Sequence, residues 1–598
     1  MCLRTARTPL RTATIALSLS ALSLSALSLS ALTAAPALAG VVEEPVRHAA
    51  PDAAVTLNPV GSYETGIFNA SAAEIVAWFG KAQRTLVVNA QSGTIEVLDA
   101  ADPTAPVKLY DVAAEGVRAA DGSIIPAGAI ANSVAVRADG LGVVAVEAPV
   151  KTDDGWLLVM DASADAPRVL GAYRVGALPD MVTLTPGGER ALVANEGEPA
   201  EDYSVDPEGT ISVIELPRSL QDRGRSAQHG RAAISQDKVA TANFHAFEDN
   251  LPAGVRIFGG REDAGTGIPE FPVSENLEPE YITVSANGRT AWVSLQEANA
   301  LAVVDVNSAT VTAILPLGTV DRMEVPFDAS DRDGEIAIRH WPVQGFRMPD
   351  SIASYKVRGT TYIVTANEGD ARDWAGYSEE ARVNALGRGG LPPVCDSVAE
   401  QVGMTVAELT HNRNLGRLTI TTAQGYDAAQ GCYSELFAFG GRGFSIFDEE
   451  GSLVFDSGSD FEEITAEAIP EFFNSNHHET TFESRSDDKG PEPEGVVVGE
   501  VDGRTYAFIG LERIGGVMVY DITDPAGAFY VSYVNNRDFS VSVTGSEDEA
   551  AALAQAGDLG AEGLAFVPAG ESPTGRPLVI VGNEVSGTTT FFEVARLR

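Results

Sequence analysis

Cysteine is scarce in this 598-residue chain, and positive charge is in short supply. There are three cysteines, and one of them, Cys2, lies in the N-terminal segment. Arginine and lysine number 41 against 84 acidic residues, and the formal net charge is -43. A surface with this charge repels the phosphates of nucleic acids and anionic lipids. We therefore expect cations as partners, and no nucleic acid.

Long hydrophobic runs are absent after the first 39 residues. In that segment three arginines precede a Leu, Ser and Ala run, and the sequence ALA at 37–39 ends it. This is the pattern of a cleavable signal peptide, without the paired arginines of the folded-protein route. We predict a Sec-type signal peptide over residues 1–39 and a periplasmic or extracellular protein that has no membrane span and is a monomer.

Export also bears on the two remaining cysteines, Cys395 and Cys432. Disulfide bonds form in oxidising compartments, and an exported protein with two cysteines is expected to pair them. Both lie within one long insertion. The sequence thus predicts a disulfide bond that closes a local loop and does not link segments of the main core.

A sustained helical period is missing, and an internal repeat is present instead. Its clearest copy is PEYITVSANGRTAWVSLQEANALAVVDVNSATVTAILPL at 279–317, with apolar strands, Gly-containing turns, and Asn, Gln, Glu or Asp near the strand ends. Seven copies follow one another between residues 84 and 594. Radial repetition of four-stranded units predicts an all-β, seven-bladed β-propeller. A parallel β-helix is the main alternative, but its turns are much shorter.

The last repeat contains only three strands, and AVTLNPVGSYE at 54–64 is expected to supply the fourth. We predict one propeller domain over residues 54–598 after a flexible segment at 40–53. Its largest insertions are expected at 217–276, 370–437 and 460–491. Long irregular segments in a compact fold are usually functional or disordered.

Polar side chains recur at two positions of each repeat. In a propeller the first strand of each blade lines the central channel, so the same position in successive blades forms a ring. The starts of the inner strands are Glu74, Asn132, Asp180, Glu280, Asp350, Glu494 and Glu562. The ends of the second strands are Asn89, Glu147, Asn195, Glu196, Gln296, Asn367, Glu368, Glu512, Asn583 and Glu584.

So many carboxylates near one axis cannot all be ionised unless cations neutralise them; otherwise some stay protonated. Carboxylate and amide oxygens are the ligands of hard cations, Ca²⁺ above all, although another divalent metal is an alternative. The alternative to a metal site is that these acids pair with arginines and backbone amides and hold the blades in register. The predicted metal ligands are Glu74, Asp180, Glu196, Glu280, Asp350, Glu368, Asp370, Glu494, Glu512, Glu562 and Glu584.

Three loops carry dense charge. RSDDKGPEPEG at 485–495 contains two prolines that stiffen it, and a rigid cluster of both signs suits a metal-bridged anion such as phosphate. NEGDARDW at 367–374 is similar in kind. DASDRDG at 328–334 has the look of a short Ca²⁺ loop but lacks the downstream Glu, so a solvated turn is an equal alternative. The pair His477 and His478 is expected to be exposed on a loop.

Several of these motifs resemble the choice-of-anchor I family. They are AEIVAW, MPDSIASY, NEGDARDW, FGGRGFSIFD, RSDDKGPEPEG, GLERIGGVMVYDITDP and GNEVSG, and the resemblance runs from about residue 55 to residue 594. Members of the family are often labelled alkaline-phosphatase-like. The resemblance implies a metal-dependent phosphomonoesterase in which bound Ca²⁺ holds a phosphoester and activates water. The residues expected to act on the phosphoryl group are Arg372, Arg442, Lys489 and Glu492.

A non-catalytic role is the alternative hypothesis. The same acidic face would hold structural Ca²⁺, or would contact mineral, polysaccharide or other cell-surface components.

Overall fold

The computed structural model describes residues 40–220, 234–257 and 272–597. The predicted signal peptide at 1–39 and parts of the predicted insertion at 217–276 lie outside the described residues, and the signal peptide stays a prediction. Within the described residues, the helices are all too short or too polar to cross a membrane.

Seven antiparallel sheets of four or five strands make up most of the regular structure. We number them 1 to 7 by the chain position of the innermost strand, which is the strand named first for sheets 1 to 7 below. Sheets 1 to 3 consist of Val76–Phe79, Arg84–Asn89, Thr94–Asp99, Val107–Ala113; Ile130–Val136, Leu141–Glu147, Asp154–Asp161, Val169–Ala177; and Pro179–Leu184, Arg190–Asn195, Thr210–Glu215, Val239–Ala242. Sheets 4 and 5 consist of Pro279–Val284, Thr290–Leu295, Ala300–Asp305, Thr310–Pro316; and Ile352–Val357, Thr360–Ala366, Phe444–Asp448, Leu453–Asp456.

The N-terminal strands complete the last two sheets. Sheet 6 consists of Pro493–Val501, Arg504–Leu511, Val517–Asp521, Phe529–Asn535 and Val46–Ala49, and sheet 7 of Ala561–Val567, Leu578–Asn583, Thr588–Arg596 and Val55–Glu64. The prediction that residues 54–64 supply the missing strand is confirmed by their pairing with Thr588–Arg596. Residues 40–53 were expected to be flexible, but they include a strand paired with Phe529–Asn535.

The sheets close into a ring. The first strand of each sheet contacts the first strand of the next, and that of sheet 7 contacts that of sheet 1. The prediction of an all-β propeller is confirmed.

The two faces of each sheet pack against different neighbours. In sheet 4, Val293 packs with Leu192 and other apolar residues of sheet 3, whereas Trp292 on the opposite face packs with Ile352 and Ile363 of sheet 5. The middle strands therefore contain continuous apolar runs, because both of their faces are buried.

A satellite core lies beside the ring. It is built from residues 327–343, which follow sheet 4, and from residues 383–438, inserted between the second and third strands of sheet 5. The predicted disulfide bond is confirmed: Cys395 and Cys432 are bonded within this satellite, with a Cα–Cα distance of 5.2 Å. The segment at 319–346 was not predicted as an insertion, and the fourth strand of sheet 3, Val239–Ala242, lies where only an insertion was expected.

The remaining elements are short. Small sheets pair Thr319–Asp321, Gln344–Phe346 and Phe437–Ala438; Asp373–Trp374 and Tyr377–Ser378; Glu380–Arg382 and Thr419–Thr421; Tyr426–Asp427 and Cys432–Tyr433. The helices are Asp396–Glu400, Val406–Leu409, Asp460–Ala468 and Glu549–Ala556. Single 3₁₀ turns are Ala90–Ser92, Gln236–Lys238, His245–Phe247, Val273–Glu275, Val383–Ala385, Leu415–Arg417, Pro470–Phe472 and Pro525–Gly527.

Closure by the N-terminal strand generates the first testable prediction. Leu57 is fully buried in the strand Val55–Glu64, whereas its neighbour Asn58 is exposed. We expect Leu57→Ala to lower the free energy of unfolding by about 2–5 kcal/mol, because it leaves a cavity. Asn58→Ala, the control, should change it by about 0.5 kcal/mol or less. Deleting residues 54–64 should lower the melting temperature sharply, and an unchanged melt would refute closure by this strand.

Candidate metal site

The inner strands begin around one cavity of about 420 Å³ at one face of the ring. All the predicted inner-strand positions line it, namely Glu74, Asn132, Asp180, Glu280, Asp350, Glu494 and Glu562. From the second-strand ends come Glu196, Gln296, Glu368, Glu512 and Glu584, joined by Asp370. Every predicted metal ligand therefore lies in the wall of this cavity, which we call the axial cavity.

A β-bulge directs these side chains toward the axis. In sheet 3 the pairing register shifts between Pro179 and Val182, and the shift encloses Asp180. Sheets 4, 6 and 7 have the same irregularity around Glu280, Glu494 and Glu562. A bulge leaves a residue out of the ladder and turns its side chain out of the normal alternation.

A recurrent backbone turn precedes the bulge. Leu178, Met348 and Glu492 have φ angles of 45°, 46° and 51°, and each is followed by a proline and then by a cavity carboxylate. Their carbonyls accept hydrogen bonds from the backbone amides of Glu196, Gly369 and Glu512, at 2.8, 3.0 and 2.8 Å. These bonds tie the start of the inner strand to the end of the second strand. They explain why acidic residues from both positions reach one cavity.

Close packing of neighbouring inner strands explains the Glu-Gly pairs. A Cβ on Gly495 would lie 1.8 Å from the carbonyl oxygen of Glu562, and one on Gly563 would lie 2.6 Å from that of Glu74. Because glycine has no side chain, neighbouring inner strands can pack this closely at both positions, and the cavity stays narrow.

Several predicted ring residues have a structural role instead. The Nδ2 atoms of Asn195, Asn367 and Asn583 donate to hydroxyl groups of their own sheets at 2.9, 2.8 and 3.1 Å. Asn89 likewise donates to Glu96 at 2.9 Å. These amides satisfy the strand ends and do not line the axial cavity. The expectation that both repeat positions contribute to the axis in nearly every blade is thus too broad. Glu147 also lies outside the wall, where its carboxylate accepts from Asn132.

Acidic groups greatly outnumber cations around the cavity. In the described part of the chain, eleven carboxylates line it against two cationic side chains, Lys489 and Arg513. Burial, with the charge of Glu584 second, raises the pKa of Glu74 to about 8. Burial likewise raises the pKa of Asp180 to about 7, and that of Glu494 well above its usual value. Removal from water disfavours the ionised form, and neighbouring like charges add to this effect.

Some cavity oxygens have no protein partner. Oε2 of Glu280, of Glu494 and of Glu562 is buried and makes no hydrogen bond to any described residue. Glu280 as a whole is 7% exposed. A buried oxygen without a donor is costly unless a proton or a cation occupies the position next to it.

The two cationic side chains that line the cavity lie in one sector of it, at sheets 5 and 6. Lys489 Nζ lies 2.6 Å from Glu368 Oε1, and Arg513 Nε lies 3.0 Å from Glu492 Oε2. Burial would raise the pKa of Glu492, but Lys489, Arg485 and Arg513 together hold it well below its usual value. Glu492 is thus a fully buried anion that positions three cations.

The predicted phosphoryl-contacting residues are mostly elsewhere. Arg372 is buried away from the cavity and pairs with Glu278 at 2.9 Å. Arg442 is buried too, bonded to Glu462 at 2.8 Å and to the carbonyls of Asp328 and Ser486. Both arginines lie in loops whose fold turns them into the core, so the expectation that they face a substrate is wrong. Of the four predicted residues, Lys489 alone lines the axial cavity.

Sequence reasoning missed two residues. His477 is 5% exposed, and its Nδ1 lies 3.1 Å from Glu512 Oε1, so the expectation of an exposed histidine pair is wrong for it. Its loop is held by Arg537, which donates to the carbonyls of Asn476 and Glu479. Glu297, two residues beyond the strand Thr290–Leu295, is also buried, and its carboxylate lies within 4.8 Å of ligand atoms of Glu196 and Glu280. Neither residue follows the repeat, so the pattern gave no signal for them.

Among the residues that the structure describes, four groups of side chains have ligand atoms within 4.8 Å of one another, close enough to share one metal ion. Two of them lie beside Lys489 or Arg513, and one of these two shares Glu584 with a third group. The four groups are Glu74, Glu562, Glu584; Glu196, Glu280, Glu297; Glu368, Glu492, Glu512; and His477, Glu512, Glu584.

A second cavity of about 200 Å³ adjoins the axial cavity, and Met181 and Tyr281 line both. Val134, Val136 and Leu564 also line the second cavity. Among the described residues that line these two cavities, the carboxylates all belong to the axial cavity.

Comparison with known proteins gives a family match. The model of the choice-of-anchor I domain matches residues 74–525. Over 200 residues the chain is 32% identical to Gigasin-3a of Magallana gigas, covering 32% of this chain and 69% of that protein. Over 325 residues it is 32% identical to the mesenchyme-specific cell surface glycoprotein of Strongylocentrotus purpuratus, covering 48% of this chain and 40% of that protein. The chain thus spans less than half of the second relative.

Solved structures resemble the chain weakly. The hydrazine synthase of Kuenenia stuttgartiensis aligns over 89% of this chain and 99% of its own, with 12% identity and a TM-score of 0.39. A streptogramin B lyase aligns over 91% and 98%, with 8% identity and a TM-score of 0.39.

The raised pKa values predict a pH dependence of stability. Glu74 keeps its proton up to about pH 8 in the folded state, whereas its ordinary pKa is 4.5. The folded chain therefore binds more protons than the unfolded chain in this interval, and without a bound cation the free energy of unfolding falls as pH rises. Melting in chelator between about pH 5 and pH 8 tests this expectation.

Glu74→Gln should make that fall shallower, because it removes one group that must ionise. Glu115→Gln, at an exposed position, is the control and should leave the slope unchanged. A melting temperature that rises across this interval in chelator would contradict the prediction.

Proposed function

The chain belongs to the choice-of-anchor I family, and from this premise we propose that it is an exported β-propeller whose axial cavity binds divalent cations, Ca²⁺ above all. One observation carries the proposal: eleven carboxylates line the cavity against one lysine and one arginine. A divalent cation would offset the repulsion between these groups and would provide the partner that their buried oxygens lack.

The donor set favours Ca²⁺. The groups Glu74, Glu562, Glu584 and Glu196, Glu280, Glu297 offer carboxylate oxygens alone, although Glu584 also lies within 4.8 Å of the ligand atoms of His477 and Glu512. Ca²⁺ takes six to eight oxygen ligands in flexible geometry, whereas transition metals prefer nitrogen or sulfur. The clusters Glu74, Glu562, Glu584 and Glu196, Glu280, Glu297 would hold the ions. Nearby amides such as Asn132 and Gln296 supply further oxygens.

The location follows from the family and from the predicted export. One relative is named a cell surface glycoprotein, and the same setting is proposed for this chain. Ca²⁺ is abundant outside cells, where sites of modest affinity remain filled. Mineral, polysaccharide or a surface component is the partner class that an acidic, Ca²⁺-loaded face would bind.

Metal analysis and melting test the cation site. We expect purified protein to contain Ca²⁺, and added Ca²⁺ to stabilise it by about 2.7 kcal/mol at 100 times Kd. Glu280→Gln combined with Glu494→Gln and Glu562→Gln changes one residue of each of the two proposed clusters and should reduce the Ca²⁺-dependent shift strongly. In chelator the same variant should leave stability unchanged or raised, because it removes repulsion. The control is Glu500→Gln, on the same strand as Glu494 but exposed. A metal-free protein that melts identically with and without Ca²⁺ would refute the proposal.

A second candidate function is hydrolysis of phosphomonoesters. It is favoured by Lys489 and Arg513, whose positive groups line the same cavity as the carboxylates. Bound Ca²⁺ would contribute Lewis acidity and a more acidic water, and these two residues would bind the phosphoryl oxygens. Both are already paired with Glu368, Glu492 or Glu512, so a substrate would have to share them.

Turnover of p-nitrophenyl phosphate distinguishes this candidate from a binding protein. We expect Ca²⁺-dependent hydrolysis that is lost with chelator and reduced on the order of 10²-fold in Arg513→Gln. The control, Arg576→Gln, changes an exposed arginine and should have no effect. A Ca²⁺-stabilised protein without turnover would reject the enzyme and leave the non-catalytic role.

A further inference from the structure

The two all-carboxylate clusters of the axial cavity differ in burial. In the first, Glu280 and Glu297 are 7% and 6% exposed, and Glu196 is half-buried. Oε2 of Glu280 and Oε2 of Glu297 are buried and have no hydrogen-bond donor among the described residues. The ligand atoms of the three side chains lie within 4.8 Å of one another, close enough to share one cation. We call this group the closed cluster.

A segment of the sheet 5 insertion lies across the loops that carry the closed cluster. Residues 370–378, which we call the strap, follow the second strand of sheet 5. Arg372 pairs with Glu278, directly before the first strand of sheet 4, at 2.9 Å. The amide of Gly376 donates to the carbonyl of Glu201 at 2.7 Å, in the connection between the second and third strands of sheet 3. The strap is therefore fixed to the two sheets that supply the closed cluster.

The strap also contacts sheet 2 through a tryptophan. Nζ of Lys151 lies 3.6 Å from the centre of the Trp374 ring and 2.9 Å from Oε2 of Glu198. Lys151 belongs to the connection between the second and third strands of sheet 2. The strap thus reaches from sheet 5 to sheet 2 along one side of the ring.

The second cluster, Glu74, Glu562 and Glu584, is more accessible. All three residues are half-buried. The second and third strands of sheets 1 and 7 are joined by four-residue turns, 90–93 and 584–587. Turns of this length do not extend across the axis. We call this group the open cluster.

An ion in the open cluster would have ligand positions to spare. Oε2 of Glu562 has no donor among the described residues, whereas Oε2 of Glu584 already accepts from Ser71 Oγ at 3.1 Å. Ca²⁺ takes six to eight oxygen ligands, and the oxygens left on these three carboxylates are fewer than that. Arg513 lies close by, because it pairs at 3.1 Å with Glu512, which has a ligand atom within 4.8 Å of one on Glu584. An external anionic oxygen could complete the coordination beside this guanidinium.

We propose that the axial cavity holds two Ca²⁺ ions with different roles, an inference that rests on the proposed function. The ion of the closed cluster is structural and joins sheets 3 and 4 beneath the strap. The ion of the open cluster binds an external ligand through an anionic oxygen, a carboxylate or a phosphate. The partner of this protein is therefore recognised at sheets 7 and 1, through the metal.

Counting bound ions in single variants of the full chain tests the first part. Isothermal titration with CaCl₂ should detect two Ca²⁺ in the unaltered chain and the loss of one of them in Glu280→Gln and in Glu562→Gln. Glu500→Gln, at an exposed position, is the control and should keep both. Circular dichroism in chelator identifies a variant that does not fold, and Glu297→Gln or Glu74→Gln then replaces it.

Terbium luminescence tests which ion binds a ligand, since Tb³⁺ occupies Ca²⁺ sites and its emission decays more slowly when a ligand displaces bound water. In Glu280→Gln protein, which keeps the open cluster, inorganic phosphate or galacturonate should lengthen the decay. In Glu562→Gln protein, which keeps the closed cluster, neither should change it. A response to phosphate alone identifies a phosphate ligand, and a response to galacturonate alone identifies a carboxylate.

The strap has its own variant. In the Glu562→Gln background, Trp374→Ala should speed the release of Ca²⁺ to a chelator in stopped flow, because it removes the contact with Lys151. Tyr426→Ala, which changes an exposed aromatic residue of the satellite, is the control and should leave the rate unchanged.

The outcomes separate this inference from the proposed function. An unaltered chain that binds neither Ca²⁺ nor Tb³⁺ would refute both. Ions that bind, but respond to the ligands equally in Glu280→Gln and Glu562→Gln proteins or in neither of them, would overturn this inference alone. An unchanged release rate in Trp374→Ala would overturn closure by the strap.

Discussion

The carboxylates around the propeller axis repel one another, and the fold holds them there against that repulsion. Each inner strand is fixed by ladder hydrogen bonds to its own sheet and by contact with the next inner strand. In sheets 3, 4, 6 and 7 a bulge at the start of this strand then directs one acid inward. The apolar faces between sheets supply the stabilisation that this arrangement requires, since both faces of every middle strand are buried. Repulsion is thus concentrated in one cavity, and a cation entering from the open face would relieve it.

The uneven distribution of positive charge divides this cavity into two parts. Around sheets 5 and 6 the buried Glu492 is surrounded by Lys489, Arg485 and Arg513, so part of the negative charge there is already offset within the protein. In the described part of the chain, sheets 7, 1, 3 and 4 contribute carboxylates to the cavity wall but no lysine or arginine. The same physical property, incomplete neutralisation, therefore selects the sector where an ion would bind. The sector at sheets 5 and 6 is where an anionic ligand would find donors.

The insertions build a second layer around this centre. The satellite core carries the disulfide bond, and the neighbouring loop at 474–492 brings Lys489 to the axial cavity and His477 against Glu512. The sequence predicts that Arg372 and Arg442 contact a ligand, but both form buried ion pairs that fix these loops. A motif with many charged residues therefore indicates ion pairs that join loops. Only some of the charged side chains in such a motif reach the cavity.

The sequence by itself determined the repeat, the all-β propeller, the strand that closes sheet 7, the disulfide bond and the residues at the starts of the inner strands. It could do so because strand alternation, turns and radial repetition are local or periodic. Only the tertiary structure decided which asparagines bond their own sheets, that Arg372 and Arg442 turn into the core, and that His477 and Glu297 lie beside carboxylates of the cavity wall. Those outcomes depend on contacts between segments far apart in the chain, and no spacing along the sequence encodes the direction in which such a side chain points.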